Sequence, residues 1–247
     1  MGVRLYRSKF DVGKGGIDVH ISAGSWCIGS TVWGKGLKKQ GVKPIKSTEP
    51  KTRARRMSPE LRHQQILQCG IHMFAERGLS NANHADISAE LGVSVPTVFH
   101  YFPTIDMLQQ SVLTEIHRYF IDQMIVTRLE KSSPAYERIE DILLAFQTLI
   151  DENSHYVRIW LEWSGFTRGF IWDMYLDFYK EAVSGLRKLL LQGRQDNSIS
   201  SEINASDASR VIMGMAHTVA HMRYSGNSKR TVQHTVHSLV MSYLAPD

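Results

Sequence analysis

Cysteine is almost missing from this chain: Cys27 and Cys69 are the only two in 247 residues. A disulfide framework is thereby excluded, and a reducing cytoplasm is the compartment to expect. No apolar run approaches the roughly 20 residues that span a bilayer, and the first 30 residues lack the unbroken hydrophobic segment of a secretion signal. A soluble protein with no membrane partner is expected. Missing too are HExxH, CxxC, a phosphate-cradling glycine loop, a nucleophile elbow and any paired carboxylates on rigid elements, so an enzyme has nothing to build on and no cofactor is expected. His217 and His221 stand one helical turn apart, with His234 and His237 further along. Zinc would need a third or fourth ligand converging on them, and these are read as surface or interface histidines rather than a metal site.

A basic excess is missing from most of the chain as well. The formal net charge of +5 looks like a uniform basic signal, but residues 1–56 hold 13 Lys+Arg against 3 Asp+Glu, and residues 57–247 hold 16 against 21. The basicity belongs to the N-terminus. A mildly acidic body implies that any affinity for nucleic acid leans on that segment, a few helix ends and oriented dipoles. Long amphipathic runs alternating with short polar breaks leave no room for a sheet, so an all-α fold is expected.

The stretch HADISAELGVSVPTVFHYFP, residues 84–103, is the most informative part of what is present. Gly92 ends one helix in a conformation few other residues tolerate, and Ser94 can cap the next. Pro96 falls harmlessly in the first turn. Val95, Val98, Phe99 and Phe102 follow helical spacing and are expected to turn inward as one apolar stripe. Ser94, Pro96, Thr97, His100 and Tyr101 then form the outer face. Hydroxyls, an imidazole and an apolar contact suit phosphates, base edges and thymine methyls in a major groove about 12 Å wide. Helical hairpins are common, so this turn alone is a modest signal.

Two flanking features strengthen it. Ser58 followed by Pro59 starts a helix that runs to a stop at Gly78, with Ile66, Leu67, Gly70, Ile71, Phe74 and Ala75 as its buried stripe. Just before lies KTRARR, residues 51–56, whose Lys51, Arg53, Arg55 and Arg56 form a cationic arm of the kind that reaches into a minor groove. Residues 1–50, rich in Gly and Lys and without sustained period, are expected to be a disordered extension or the product of an upstream start codon.

Arm, MSPELRHQQILQCGIHMFAERG, HADISAELGVSVPTVFHYFP and TIDMLQQSVL, in that order, resemble the DNA-binding domain of TetR-type bacterial regulators. Within that family the chain is similar to the LuxR/HapR group of vibrio quorum-sensing master regulators, through Ser94 to Thr104 and through WLEWSGFTR, residues 160–168. It departs from that group at Pro96, His100 and the turn Asn81 to Asn83. The resemblance implies a homodimeric, sequence-specific transcription factor, repressing or activating at a near-palindromic operator. It implies helix-turn-helix residues 51–103, a helical ligand-binding and dimerisation region over 104–247, and no catalysis. Arg53, Arg55 and Arg56 would enter the minor groove, while Ser94, Pro96, Thr97, His100 and Tyr101 would lie on the operator. The alternative is a small-molecule-binding helical protein that keeps this shape without operator specificity.

In the body, Thr104 caps a helix over roughly 105–127 with Leu108, Val112, Ile116, Phe120 and Met124 inward. It belongs to head and body alike, so body packing can change the spacing of paired reading helices, about 34–36 Å in helix-turn-helix dimers. Further helices are expected across 134–193, broken near Ser154 and Gly165 to Gly169. Aromatics crowd Tyr156 to Tyr179. They read either as core or as a pocket for a hydrophobic effector, with Trp160, Trp163 and Phe166 as walls and Ser164 and Thr167 orienting. Two last helices, opened by Ser206 and Ser228, carry stripes including Met215, Val219 and Met222, then Val232, Val236, Leu239, Val240 and Tyr243. These are expected at the dimer interface.

Overall fold

A computed structural model describes residues 57–246, so the N-terminal extension, Cys27 and the arm Lys51, Arg53, Arg55 and Arg56 lie outside the described residues. Helix α1 (Pro59–Arg77) opens where its signals stand. The Ser58 hydroxyl accepts from the Leu61 N–H at 3.2 Å, and the chain departs at Gly78 with φ 91°. Helix α2 (His84–Leu91) is fixed by a reciprocal cap: Asn83 accepts the Ala85 and Asp86 N–H groups while Asp86 accepts from the Asn83 N–H. Gly92 then takes φ 62°, a left-handed value that reverses the chain at no steric cost, and α3 (Val95–Tyr101) starts on the Ser94 cap.

Thr104 caps α4 (Ile105–Tyr119), which runs on through a π-helical segment, Phe120–Val126, into the short α5 (Thr127–Leu129). The body is completed by α6 (Ala135–Glu152), α7 (Ser154–Gly165), α8 (Gly169–Gln195), α9 (Ala205–Tyr224) and α10 (Lys229–Leu244). Every described element is helical, as expected from the sequence. Helix α6 is central, packed on α7, α8, α9 and α10, while α8 and α9 form the most extensive pair.

Several local expectations are revised. The linker was expected to be one α-helix to about 127. It widens after Tyr119 into π-helical turns, in which Phe120, Ile121, Met124 and Ile125 face inward. Helix α9 is capped by Asn204, which accepts from both the Ser206 and Asp207 N–H groups, and not by Ser206. On α10, Val232, Val236 and Val240 are buried within the chain, as are Met215 and Val219 on α9, because these stripes face α6 and α8. Met222 is half-buried, whereas Leu239 and Tyr243 are outward at 40% and 36% exposure.

No break in packing marks Pro103. The described residues form one unit, in which α1 lies against both α4 and α7. Gly70 allows the approach of α4, since a β-carbon there would sit 3.1 Å from Leu108 Cδ1. A tighter approach occurs at Gly193, where a β-carbon would lie 2.5 Å from the Ala135 β-carbon and also against Ile199 Cγ1. Neither neighbour can swing away. Gly193→Ala should therefore destabilise the fold by about 1–3 kcal/mol in a urea titration, and an unchanged midpoint would contradict the packing at that junction.

Candidate nucleic-acid interface and body cavity

Helix α3 rests chiefly on α2, with His63 of α1 against Tyr101, and with seven residues it can bury little. Val98 and Phe102 are inward at 0% and 2% exposure, but Val95 and Phe99 are outward at 36% and 47%, against the expectation of one buried stripe. Phe99 lies flat on the His84 ring, with centroids 4.0 Å apart and planes 7° from parallel. His84 is buried and its Nε2 lies 2.7 Å from the Phe102 carbonyl. A carbonyl only accepts, so Nε2 carries the proton and the histidine holds the end of α3 in place.

The outward surface of α3 thus consists of Val95, Pro96, Phe99 and His100, with Thr97 and Tyr101 half-buried at its edges. Ser94 is exposed but occupied, its hydroxyl 2.8 Å from that of Thr97 while accepting the Thr97 N–H at 3.3 Å. Tyr101 is propped by His100 and by His63 of α1. The surface is mostly apolar, with one imidazole. Such a face meets thymine methyls by contact and offers a single side chain able to bond a base edge directly.

One residue of the head, Leu79, is held by two helices of the body. The Leu79 N–H, in the turn between α1 and α2, is bound by both carboxylate oxygens of Glu162 at 2.9 and 3.0 Å. The Leu79 carbonyl accepts from the Gln109 side chain at 2.6 Å. Burial pushes the Glu162 carboxyl above the usual range, and the Leu79 N–H holds it back. Neither Glu162 nor Gln109 was singled out in the sequence. The available hint was a charged residue embedded between Trp160 and Trp163.

Beside this clasp, α1 and α7 meet again through His72 Nδ1 and His155 Nε2, 3.4 Å apart, and through Arg158 and Glu76 at 3.0 Å. One histidine donates and the other accepts, so the contact admits one proton between the two facing nitrogens. Burial, then the neighbouring His72, lower the His155 value, and burial lowers that of His217. Both groups bind protons less readily when folded than when unfolded, so the stability they contribute is complete above the ordinary value of 6.5 and is lost as pH falls below it. The thermal midpoint should fall between about pH 7 and about pH 5, and should fall less in the His155→Gln, His217→Gln double variant. Equal slopes for both proteins would refute the assignment. Burial also pushes the Cys69 thiol up to about 11, which makes it an inert core group.

Between the π-helical segment and helices α6 to α9 lies a cavity of about 50 Å3, walled by apolar side chains that include Phe120, Met124, Phe146, Trp160, Phe178 and Met213. Of the five residues expected to form an effector pocket, only Trp160 is part of this wall. Trp163 is fully buried beside it, donating its indole N–H to the Ile171 carbonyl at 2.7 Å. Ser164 donates to the Leu161 carbonyl and lies 3.2 Å from His217 Nε2, Phe166 is half-buried, and Thr167 faces outward. The aromatic cluster therefore divides between wall and core. His217 lies against Trp160, with ring centroids 4.2 Å apart and planes tilted by 39°.

Residues 66–112, covering α2, α3 and parts of α1 and α4, match the bacterial regulatory proteins of the tetR family. The HTH-type transcriptional regulator LuxR of Vibrio harveyi is 27% identical over 189 residues, covering 76% of this chain and 90% of that one. Among solved structures, a tetR-family transcriptional regulator from Agrobacterium tumefaciens superimposes with a TM-score of 0.65 at 16% identity, covering 76% of this chain and 100% of that one. The regulator FadR of Bacillus subtilis, in complex with stearoyl-CoA, gives 0.63 at 21% identity, covering 73% and 98%.

Proposed function

Because this chain is a TetR-type, DNA-binding transcriptional regulator, we propose that it acts as a homodimer on a near-palindromic duplex operator, with α3 of each subunit in a major groove. The observation that carries this reading is the outward face of α3, Val95, Pro96, Phe99 and His100, on a helix clamped at both ends by Ser94 and His84. Thr97 and Tyr101 border that face and Ser94 adds a hydroxyl at its start. Lys51, Arg53, Arg55 and Arg56 supply the cationic arm for the adjacent minor groove. The twin subunit is placed on the outward faces of α9 and α10, where Val211, Leu239, Met241 and Tyr243 are exposed apolar groups. Residues 51–103 serve as the reading head and 104–247 as the regulatory and dimerising body.

An apolar effector in the body cavity changes the spacing of the two heads and so the affinity for the operator. The FadR relative, solved with stearoyl-CoA, supports a body that takes an apolar ligand. Among the described residues no helix is long and apolar enough to cross a membrane, and the protein works in the cytoplasm on the nucleoid. A role in cell-density control rests on the likeness to LuxR. Selection of bound duplexes from a random pool, followed by salt titration against a scrambled duplex, tests the reading. A preference of roughly 10³ or more is expected for the selected site. Equal affinity for both duplexes would overturn it in favour of a small-molecule-binding protein without operator specificity.

A further inference from the structure

Two imidazoles face each other where the reading head meets the body. His72 of α1 and His155 of α7 are both half-buried, with ring centroids 5.0 Å apart and planes at 69°, and His72 Nδ1 lies 3.4 Å from His155 Nε2. As a hydrogen bond this contact is long, since a good N–H bond spans about 2.7–3.2 Å. The same separation is what one tetrahedral ion requires: two nitrogens bound at about 2.0–2.1 Å from zinc stand about 3.3–3.4 Å from each other.

The surroundings favour a cation. Glu76, one helical turn beyond His72 on α1, brings a carboxylate oxygen to 3.9 Å from His155 Nε2. Its charge is shared with Arg158 of α7, which it meets at 3.0 Å. Among the described residues no third histidine, cysteine or carboxylate closes a full ligand set, so water completes the shell, and the half-buried rings leave one side open to it. To meet at one ion, each ring turns by about 35° from the line joining the two nitrogens, and the broad χ2 preference of an imidazole allows such a turn.

We propose that His72 and His155 form a binding site for one divalent transition-metal ion of the zinc type, and that the ion staples α1 to α7. Imidazole nitrogen selects such ions over magnesium and calcium, which take oxygen ligands. The two ligands come from different helices, one belonging to the head and the other carrying Glu162, whose carboxylate holds the Leu79 N–H. A bound ion therefore adds a tie at the joint where the head is already held, and it restrains head movement for as long as it stays. The consequence for operator affinity rests on the operator reading above, whereas the site itself does not.

The full chain, stripped with a chelator, is melted with and without Zn2+. At a zinc concentration a hundredfold above the dissociation constant the midpoint should rise by about 5–10 °C, and Mg2+ should not move it. His72→Gln and His155→Gln should each abolish the rise, while the His221→Gln, His234→Gln pair, which removes exposed histidines elsewhere, should keep it. Melts without metal show that each variant folds. Arg158→Gln, which releases Glu76 to serve as a further ligand, should tighten zinc binding several-fold in a calorimetric titration, and adding Glu76→Gln should remove that gain. No rise in the parent, a rise retained in both folded single-histidine variants, or an equal rise with Mg2+ would overturn the site. Operator affinity is then compared in zinc and in chelator. A several-fold difference in the parent that is absent in His155→Gln supports the staple, and equal affinities would overturn it while the melts still report the site. Loss of all preference for the selected duplex, with zinc binding intact, would instead overturn the operator reading, so the two fail separately.

Discussion

Deleting residues 51–56 should flatten the salt dependence of DNA affinity by about 0.9 in the log–log slope for each phosphate-bound cation withdrawn. Lys51, Arg53, Arg55 and Arg56 make four candidates per subunit. At 0.1 M salt that slope corresponds to about eightfold per cation, so the loss is of order 10³ for each arm when all four engage, and larger when both arms of a dimer are removed. The effect is large here because the rest of the chain opposes it. Residues 57–247 carry 16 Lys+Arg against 21 Asp+Glu, and α3 itself contains no Lys or Arg. In the proposed reading the attraction to phosphate comes mainly from the N-terminal side, while α3 supplies discrimination between sequences. Replacing His100 by alanine should accordingly reduce preference for the selected site by about 1–3 kcal/mol and leave the salt slope almost untouched. A slope unaltered by removal of the arm would assign the phosphate contacts elsewhere.

Trp163→Ala is expected to destabilise the protein by about 3–5 kcal/mol, a large share of the roughly 5–15 kcal/mol typical of a folded domain. The residue is at 0% exposure, its ring lies 5.5 Å from Phe178 and 5.7 Å from Tyr175, and its N–H is bound to the Ile171 carbonyl. Truncation would leave a void that these rings cannot fill without moving α8. Trp163→Phe separates the two components, keeping much of the packing and removing the hydrogen bond at about 1 kcal/mol. Chemical denaturation of both variants checks the ordering. Because Trp163 does not wall the cavity, the phenylalanine variant should keep the operator affinity of the parent, and a substantial loss of that affinity would mean that the aromatic cluster works as one unit.

Helix boundaries were legible wherever a side chain or a glycine decides the matter locally. Ser58 with Pro59, Gly78, Gly92, Ser94, Thr104 and Ser228 all act at the positions their chemistry suggests. The direction a stripe faces was less legible. Periodicity states that a helix has an apolar side, not what covers it, and so the valines of α10 were assigned to a partner when α6 lies against them. Val95 and Phe99 obeyed helical spacing but lie beyond the part of α3 that its neighbours cover. The π-helical segment left no trace in the pattern, since the spacing of Phe120, Ile121, Met124 and Ile125 suits one face of an ordinary α-helix as well. The segment WLEWSGFTR was flagged as a whole, yet its members divide the work: Trp160 walls the cavity, Glu162 holds the head and Trp163 fills the core.

The two-sided hold on Leu79 has a bearing on how graded any response can be. Its amide belongs to α7 through Glu162 and its carbonyl to α4 through Gln109. A slide of either helix cannot be shared out smoothly, because hydrogen bonds weaken steeply once their geometry is lost. The turn must stay with one anchor and let go of the other. Intermediate tilts then have no stable resting place, and a promoter under this protein would be thrown between discrete settings instead of being dimmed.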